Sequence, residues 1–146
     1  MFTSFNRFDR AITTWLAQNG MTLLRLSLGV VFFWFGILKF FPGMSPANDL
    51  ASRTIEVLTA GLIRPDVAVP LLATWEVLIG LGLISGLFMR ATLALLLVQM
   101  LGTLTPLVLF PSETWRWFPI SPTLEGQYII KNLVLISSAL VIGATV

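Results

Sequence analysis

The sequence predicts an all-α protein: a four-helix transmembrane bundle with an amphipathic N-terminal helix and an interfacial helix between the first two spans. Of the 146 residues, 56% are hydrophobic and only 11% are charged, with a mean hydropathy of +0.90. A water-soluble domain is about a quarter charged. Four apolar segments are each about 20 residues long, which is enough to cross a bilayer. We place the spans at about residues 21–41, 67–87, 91–110 and 127–146.

The sequence contains neither cysteine nor histidine. This composition excludes disulfide exchange, Cys/His zinc sites, cysteine-held iron–sulfur clusters and histidine-ligated haem. We therefore expect no metal site and no intrinsic cofactor, and any redox chemistry would belong to a bound cofactor such as a quinone or to a partner subunit. The net charge is only +2 and the basic residues are scattered, so no nucleic-acid-binding surface is indicated.

Residues 1–20 are predicted to form an amphipathic helix that lies in the membrane surface. The charges of Arg7, Asp9 and Arg10 interrupt the apolar residues, which argues against a cleavable signal peptide. The pair Asn19-Gly20 is typical of a helix stop, and the alternative interpretation is a frayed terminus. The apolar residues at helical spacing are Phe2, Phe5, Phe8, Ile12, Trp15 and Leu16.

The first span carries a cation near each end. On a helix that turns about 100° per residue, Arg25, Gly29, Phe32, Gly36 and Lys39 fall within one stripe about 80° wide. A charge that faces lipid at the helix centre costs roughly 2.5 to 3.5 kcal/mol, so this stripe is expected to face protein or an interface. Its glycines would let another backbone approach closely.

The segment after the first span is predicted to form a surface helix. Ser45-Pro46 resembles an N-cap followed by a proline in the first turn, and apolar residues recur every three or four positions through residues 47–62. The second span has Pro70 in its first turn and places Glu76 near its middle, deeper than any other acid in the chain.

A short turn at Met89-Arg90 makes the second and third spans an antiparallel hairpin. Pro106 is expected to kink or end the third span. Residues 111–126 are predicted to be a loop whose aromatic side chains lie at the membrane interface. The fourth span then carries Lys131 and Asn132 near its start.

The polar residues of the four spans fall at related depths, so they can face one another around a common axis. Glu76 could pair with Lys39, with Lys131 or with Arg25, and such a partner would keep the acid ionised. Three interpretations stay open: the residues hold the bundle together, they form a functional polar pocket, or the lysines extend along lipid to the interface. The predicted intramembrane polar residues are Arg25, Lys39, Glu76, Gln99, Thr103, Lys131 and Asn132.

Three motifs carry a family resemblance: RLSLG…FGILKF in the first span, WEVLIGLGLISG in the second, and GQYIIKNLVLI at the start of the fourth. Together they resemble the DoxX-like family of small four-helix bacterial membrane proteins, and within it the YkgB/RclC-like branch. The resemblance implies a four-helix bundle in a bacterial inner membrane. It also implies association with sulfur- or quinone-linked oxidoreductases or with oxidative-stress defence. The absence of cysteine argues against a thiol-based role.

Three functions are compatible with these features. The first is a non-catalytic membrane subunit or anchor of a redox or oxidative-stress-related complex. The second is a quinone- or lipid-binding protein, with Lys39, Gln99, Lys131 and Asn132 offering donors to a carbonyl head group. The third is a small-solute or proton-coupled transporter that titrates Glu76 and acts as a homo-oligomer. An enzyme with its own active site ranks below these, because no nucleophile–base pair can be built without histidine or cysteine.

The loop charges indicate an orientation only weakly. Three arginines are expected on the N-terminal side of the membrane and three on the other, which is a tie. The tight turn at Arg90 and the pair Arg7 and Arg10 near the first span favour placing both termini in the cytoplasm.

Overall fold

The computed structural model describes residues 2–146, with side chains from residue 6 onward. The side chains of Phe2 and Phe5, named above as part of an apolar face, lie outside the described residues. Four helices are long and apolar enough to cross a membrane by length and composition, so the predicted all-α four-helix fold is confirmed. The elements are α1 (Phe2–Leu38), α2 (Asn48–Leu58), α3 (Pro65–Ser85), α4 (Met89–Leu104), α5 (Pro106–Leu109), α6 (Pro111–Thr114), β1 (Trp115–Trp117), β2 (Ser121–Pro122) and α7 (Leu124–Gly143).

The four long helices form a closed ring. α1 packs along α3, α3 packs against α4, α4 against α7, and α7 returns to α1. Large apolar side chains also cover the outside of the ring, as expected where lipid is the solvent. The residues at the centre of the ring are Leu28, Phe32, Ile79, Leu83, Leu93, Leu96, Met100, Ala139 and Ile142.

The helix stop expected at Asn19-Gly20 is wrong, because α1 continues through both residues to Leu38. The Asn19 side chain donates from Nδ2 to the Trp15 carbonyl at 2.9 Å, so it binds within the helix instead of capping its end. A glycine inside a helix costs only about 1 kcal/mol relative to alanine, and helical sequence on both sides can outweigh that cost. Whether residues 1–20 lie in the membrane surface stays a prediction.

The surface helix α2 begins later than its sequence signals indicated. Its N-cap is Ala47, and Ser45 is not the cap because a turn precedes the helix, closed by the Asn48 amide donating to the Ser45 carbonyl at 3.3 Å. The helix turns Ser52 and Thr54 inward and packs against α3. Their hydroxyls donate to carbonyls of α2 itself, so this polar face can be buried.

The turn between α3 and α4 lies at Gly86–Phe88 and not at Met89-Arg90. Gly86 ends α3 in the left-handed conformation, with φ of +74°, and its amide donates to the Gly82 carbonyl at 2.9 Å. Met89 is therefore already the first residue of α4. The expected effect of Pro106 is confirmed: α4 ends at Leu104 and the short helix α5 begins at the proline.

Residues 111–126 are more ordered than a loop, which corrects the prediction for this segment. They contain α6 and a two-stranded antiparallel hairpin, β1–β2, with a cis peptide bond before Pro119. Thr123 caps α7: its hydroxyl accepts from the Gly126 amide at 3.2 Å and donates to the Glu113 carbonyl at 2.6 Å. These hydrogen bonds tie α6 to the start of α7.

Candidate functional site

Glycines bring α1 and α3 into close contact, which confirms the packing expected for the first stripe. A Cβ added at Gly36 would lie 2.9 Å from the Cβ of Glu76, and one at Gly29 would lie 2.8 Å from Cγ1 of Ile84. On the other helix, a Cβ at Gly80 would lie 2.5 Å from the Phe33 amide nitrogen. These approaches place the ends of the α1 stripe directly opposite the polar groups of α3.

A buried ion pair joins the end of α1 to the middle of α3. The Nζ of Lys39 lies 2.6 Å from Oε2 of Glu76, and the two side chains are only 8% and 11% exposed. The same Nζ lies 3.5 Å from the Phe35 carbonyl. Of the three partners considered for Glu76, the structure selects Lys39.

Gln99 on α4 completes the cluster from a third helix. Its Nε2 donates to Oε1 of Glu76 at 2.7 Å, so both carboxylate oxygens of that acid accept a hydrogen bond. We call Lys39, Glu76 and Gln99 the intramembrane polar cluster. Thr103 lies one turn further along α4, and its hydroxyl donates to the Gln99 carbonyl at 2.9 Å. Thr103 therefore supports the helix that carries Gln99.

One atom of this cluster has no partner. Oε1 of Gln99 is buried, and among the described residues it accepts no hydrogen bond. A buried, unpaired amide oxygen costs about 1 to 3 kcal/mol, so a donor supplied from outside the chain would be favourable there. The cluster therefore holds three helices together and leaves one buried acceptor unpaired among the described residues.

Arg25 lies at the opposite end of the α1–α3 contact and does not reach Glu76. Its Nη1 donates to the carbonyls of Leu83 and Ile84, the latter at 3.2 Å, in the last turn of α3. The guanidinium also lies beside Gly86, where an added Cβ would be 2.9 Å from Nη1. A cation that binds the free carbonyls at a helix C-terminus is stabilised by the helix dipole.

Lys131 and Asn132 lie apart from the cluster. Lys131 is exposed on α7, with its Nζ 5.2 Å from the centre of the Tyr128 ring, and Asn132 is half-buried. Among the described residues, neither side chain makes a hydrogen bond to Lys39, Glu76 or Gln99. The structure therefore brings together three of the seven predicted polar residues, with Thr103 beside them, and leaves Arg25, Lys131 and Asn132 elsewhere.

A second ion pair, which the sequence reasoning missed, holds the loop-rich side together. Nη1 and Nη2 of Arg53 on α2 donate to the two carboxylate oxygens of Glu113 on α6, both at 2.7 Å. The Arg53 guanidinium holds the pKa of Glu113 below its usual range, and Glu113 in turn raises the pKa of Arg53. The guanidinium also lies 5.2 Å from the centre of the Phe110 ring. The two charged residues are 60 positions apart, and no sequence pattern links them.

On its lipid-facing side, α1 carries a shallow apolar groove of about 150 Å³. It is lined by Phe33, Trp34, Ile37 and Leu38, and no polar atom contributes to its surface. This groove is open on its lipid-facing side and offers nothing to orient a polar head group. Among the described residues, no three acidic side chains come together as a metal site would require.

One of three comparisons with known proteins returned a match. The sequence model of the DoxX family matches residues 20–110. The chain belongs to the DoxX family. The matched residues include Arg25 and the whole intramembrane polar cluster, while Lys131 and Asn132 fall outside them. Family membership and four apolar helices make this DoxX chain a multi-pass membrane protein that resides in a lipid bilayer. Neither the search of curated proteins nor that of solved structures returned a match.

Proposed function

We propose that this DoxX-family chain is a non-catalytic membrane subunit that anchors a redox or oxidative-stress-related complex. The observation that carries the proposal is the pairing within the intramembrane polar cluster. The two carboxylate oxygens of Glu76 accept hydrogen bonds, one from Lys39 and one from Gln99. These deep polar groups therefore hold α1, α3 and α4 together. A rigid bundle of this kind suits a support for other subunits. The resemblance to membrane partners of oxidoreductases supplies the class of partner.

The partner we propose is an oxidoreductase subunit that carries the redox cofactor, because this chain has no cysteine or histidine to ligate one. The test is extraction from the native membrane in mild detergent, followed by quantitative mass spectrometry of everything that stays bound. We expect one oxidoreductase subunit at fixed stoichiometry. A chain that elutes alone, or as a homo-oligomer with no other protein, contradicts the anchor function.

The location we propose is a bacterial inner membrane with both termini in the cytoplasm. Arg7 and Arg10 near the first span, together with Arg90 in the first turn of α4, support this orientation. Reporter fusions at the C-terminus and in the segment between α2 and α3 test it. Cytoplasmic activity of the first reporter alone is the expected result, and the reverse pattern overturns the orientation.

The second candidate is a quinone- or lipid-binding protein, favoured by the unpartnered Oε1 of Gln99. This atom accepts hydrogen bonds, so it suits the hydroxyl of a quinol or of a lipid head group better than a quinone carbonyl. The Gln99→Met variant removes this acceptor together with the Nε2 donor to Glu76, and it keeps the side-chain length. We expect it to retain less quinol through purification than the wild type, with Lys131→Met as the control variant. Equal retention by all three proteins removes this candidate.

A small-solute or proton-coupled transporter that acts as a homo-oligomer stays a prediction. The relevant measurement is flux through proteoliposomes as a function of pH, because titration of Glu76 would make that flux pH-dependent. Flux that does not change with pH removes a proton-coupled mechanism.

A further inference from the structure

The helix α1 is longer than a bilayer is thick. At about 1.5 Å per residue, its 37 residues span about 55 Å, against about 30 Å for the hydrocarbon core. Met21 and Leu24 are the N-terminal-most residues of α1 that pack against the core of the bundle. Every side chain from residue 6 to residue 18 is exposed. The first half of the helix therefore extends beyond the bundle.

This extension carries an exposed apolar stripe. Phe8, Ile12, Trp15 and Leu16 are 67%, 43%, 53% and 51% exposed, and they follow the spacing of one helix face. Relative to Gly36, which faces α3, they lie at about 80°, 120°, 60° and 160° around the helix. The stripe is therefore centred about 105° around the helix from Gly36, to one side of the α1–α3 contact.

The same angular range faces lipid further along the helix. Val30 and Trp34 lie at about 120° and 160° from Gly36, and they are 48% and 63% exposed on the outside of the bundle. The opposite side of the extension is polar, with Arg7 at about −20° and Arg10 at about −80°. If the extension bends toward the side that carries its apolar stripe, this side turns to face the membrane. An outward bend would thus turn the stripe toward the bilayer and keep the arginines in water.

Gly20 is a suitable position for this bend in α1. Gly20 lies at the junction between the extension and the bundle, and no atom outside its own helix backbone and chain neighbours lies within 4 Å of where its Cβ would be. The Asn19 side chain before it donates to the Trp15 carbonyl, within the extension itself. The side-chain hydrogen bonds of residues 6–19 all stay within α1. Glycine also favours helix ends and kinks.

We propose that Asn19-Gly20 is a hinge and that the extension, residues 6–18, folds outward onto the surface of the same bilayer that holds the bundle. The apolar stripe then enters the head-group region, where Trp15 is favoured as an interfacial residue. A bilayer is the occupant because it adjoins the outer side of α1 and because the stripe continues the lipid-facing side of that helix. This proposal is independent of the proposed redox partner.

The chain has no cysteine, so single-cysteine variants can be spin-labelled cleanly. Ile12→Cys reports on the stripe, and Thr14→Cys, about 160° from Ile12, reports on the polar side. Both are placed in the full chain in nanodiscs of phosphatidylethanolamine and phosphatidylglycerol. We expect the Ile12 label to collide with oxygen and not with an aqueous nickel chelate, and the Thr14 label to do the reverse.

Two other results overturn the proposal. Equal access of the chelate to both labels means an upright helix in water, and a short distance between Ile12 labels on two chains means pairing of two copies.

The hinge is tested by Asn19→Ala/Gly20→Ala, with Gly102→Ala as control, since Gly102 also has open space at its Cβ position. We expect the double variant alone to move the Ile12 label toward water. An unchanged label depth in that variant overturns the hinge.

Discussion

Lys39 and Glu76 form an ion pair, 2.6 Å from Nζ to Oε2, between the C-terminal end of α1 and the middle of α3. Gly36 lies beside this pair and lets the two helices approach closely enough to make it. The pair and the glycine contact depend on each other, because a wider separation of α1 and α3 would break the ion pair.

Removing one member of the ion pair should destabilise the bundle strongly. Lys39→Met leaves the Glu76 carboxylate buried without its cation, and removal of one partner of a buried pair costs about 3 to 5 kcal/mol. The double variant Lys39→Met/Glu76→Gln should recover part of that loss, because no unpaired charge then remains. The free energy of unfolding of both variants is measured in detergent, by titration with a denaturing surfactant. Lys131→Met is the matched control, since Lys131 is exposed, and a similar loss in this control would contradict the account.

A methyl group at Gly80 should separate α1 from α3. The added Cβ would lie 2.5 Å from the Phe33 amide nitrogen, and backbone cannot move aside as a flexible side chain can. We expect Gly80→Ala to lower the free energy of unfolding by about 1 to 3 kcal/mol, the usual cost of overpacking. Gly102→Ala adds the same methyl in open space on α4. It should be neutral or stabilising by up to about 1 kcal/mol. Equal effects of the two substitutions would mean that the α1–α3 contact is not close.

Arg25 should stabilise the C-terminal end of α3. It donates to the carbonyls of Leu83 and Ile84, and a cation at a helix C-terminus contributes about 0.3 to 1 kcal/mol at exposed sites and up to about 2 kcal/mol when partly buried. We expect Arg25→Met to lose stability within that range and Arg25→Lys to recover part of it. Hydrogen exchange of the amides near Gly86 is the local readout. Unchanged exchange in Arg25→Met would show that the guanidinium does not hold this turn.

The loop-rich side should open at low pH. Because Arg53 lowers the pKa of Glu113 in the folded chain, the contribution of this ion pair is present above the unfolded pKa of a glutamate, about 4.3, and is lost as the pH falls through the lower folded value. Distances between spin labels on α2 and on the β1–β2 hairpin should broaden as the pH falls below the pKa of an unfolded glutamate. Glu113→Gln should show the broad distribution at every pH. A wild-type distribution that does not change with pH would contradict this role.

The sequence was sufficient for the features that depend on one helix at a time. The apolar lengths predicted four spanning helices, and the spacing of Gly29 and Gly36 predicted the face that contacts α3. The proline at position 106 ended α4 as expected, because its missing amide and its ring act locally.

Features that depend on distant residues could not be derived in this way. Three partners were open for Glu76, because the depth of a residue along a helix does not say which neighbour in the ring faces it. Lys131 has a depth similar to that of Lys39, but it points outward from α7. The continuity of α1 through Asn19-Gly20 was missed because local stop signals were weighed without the helical sequence on both sides.

Whether this DoxX-family chain anchors an oxidoreductase subunit is measured by removing the chain from cells and following the location of that subunit. Membranes and soluble fraction are separated from cells with and without the chain, and the subunit found by mass spectrometry is quantified in each. We expect the subunit to leave the membrane when the chain is absent and to return when the wild-type chain is restored, but not with Lys39→Met. A subunit that stays in the membrane fraction without this chain would overturn the anchor function.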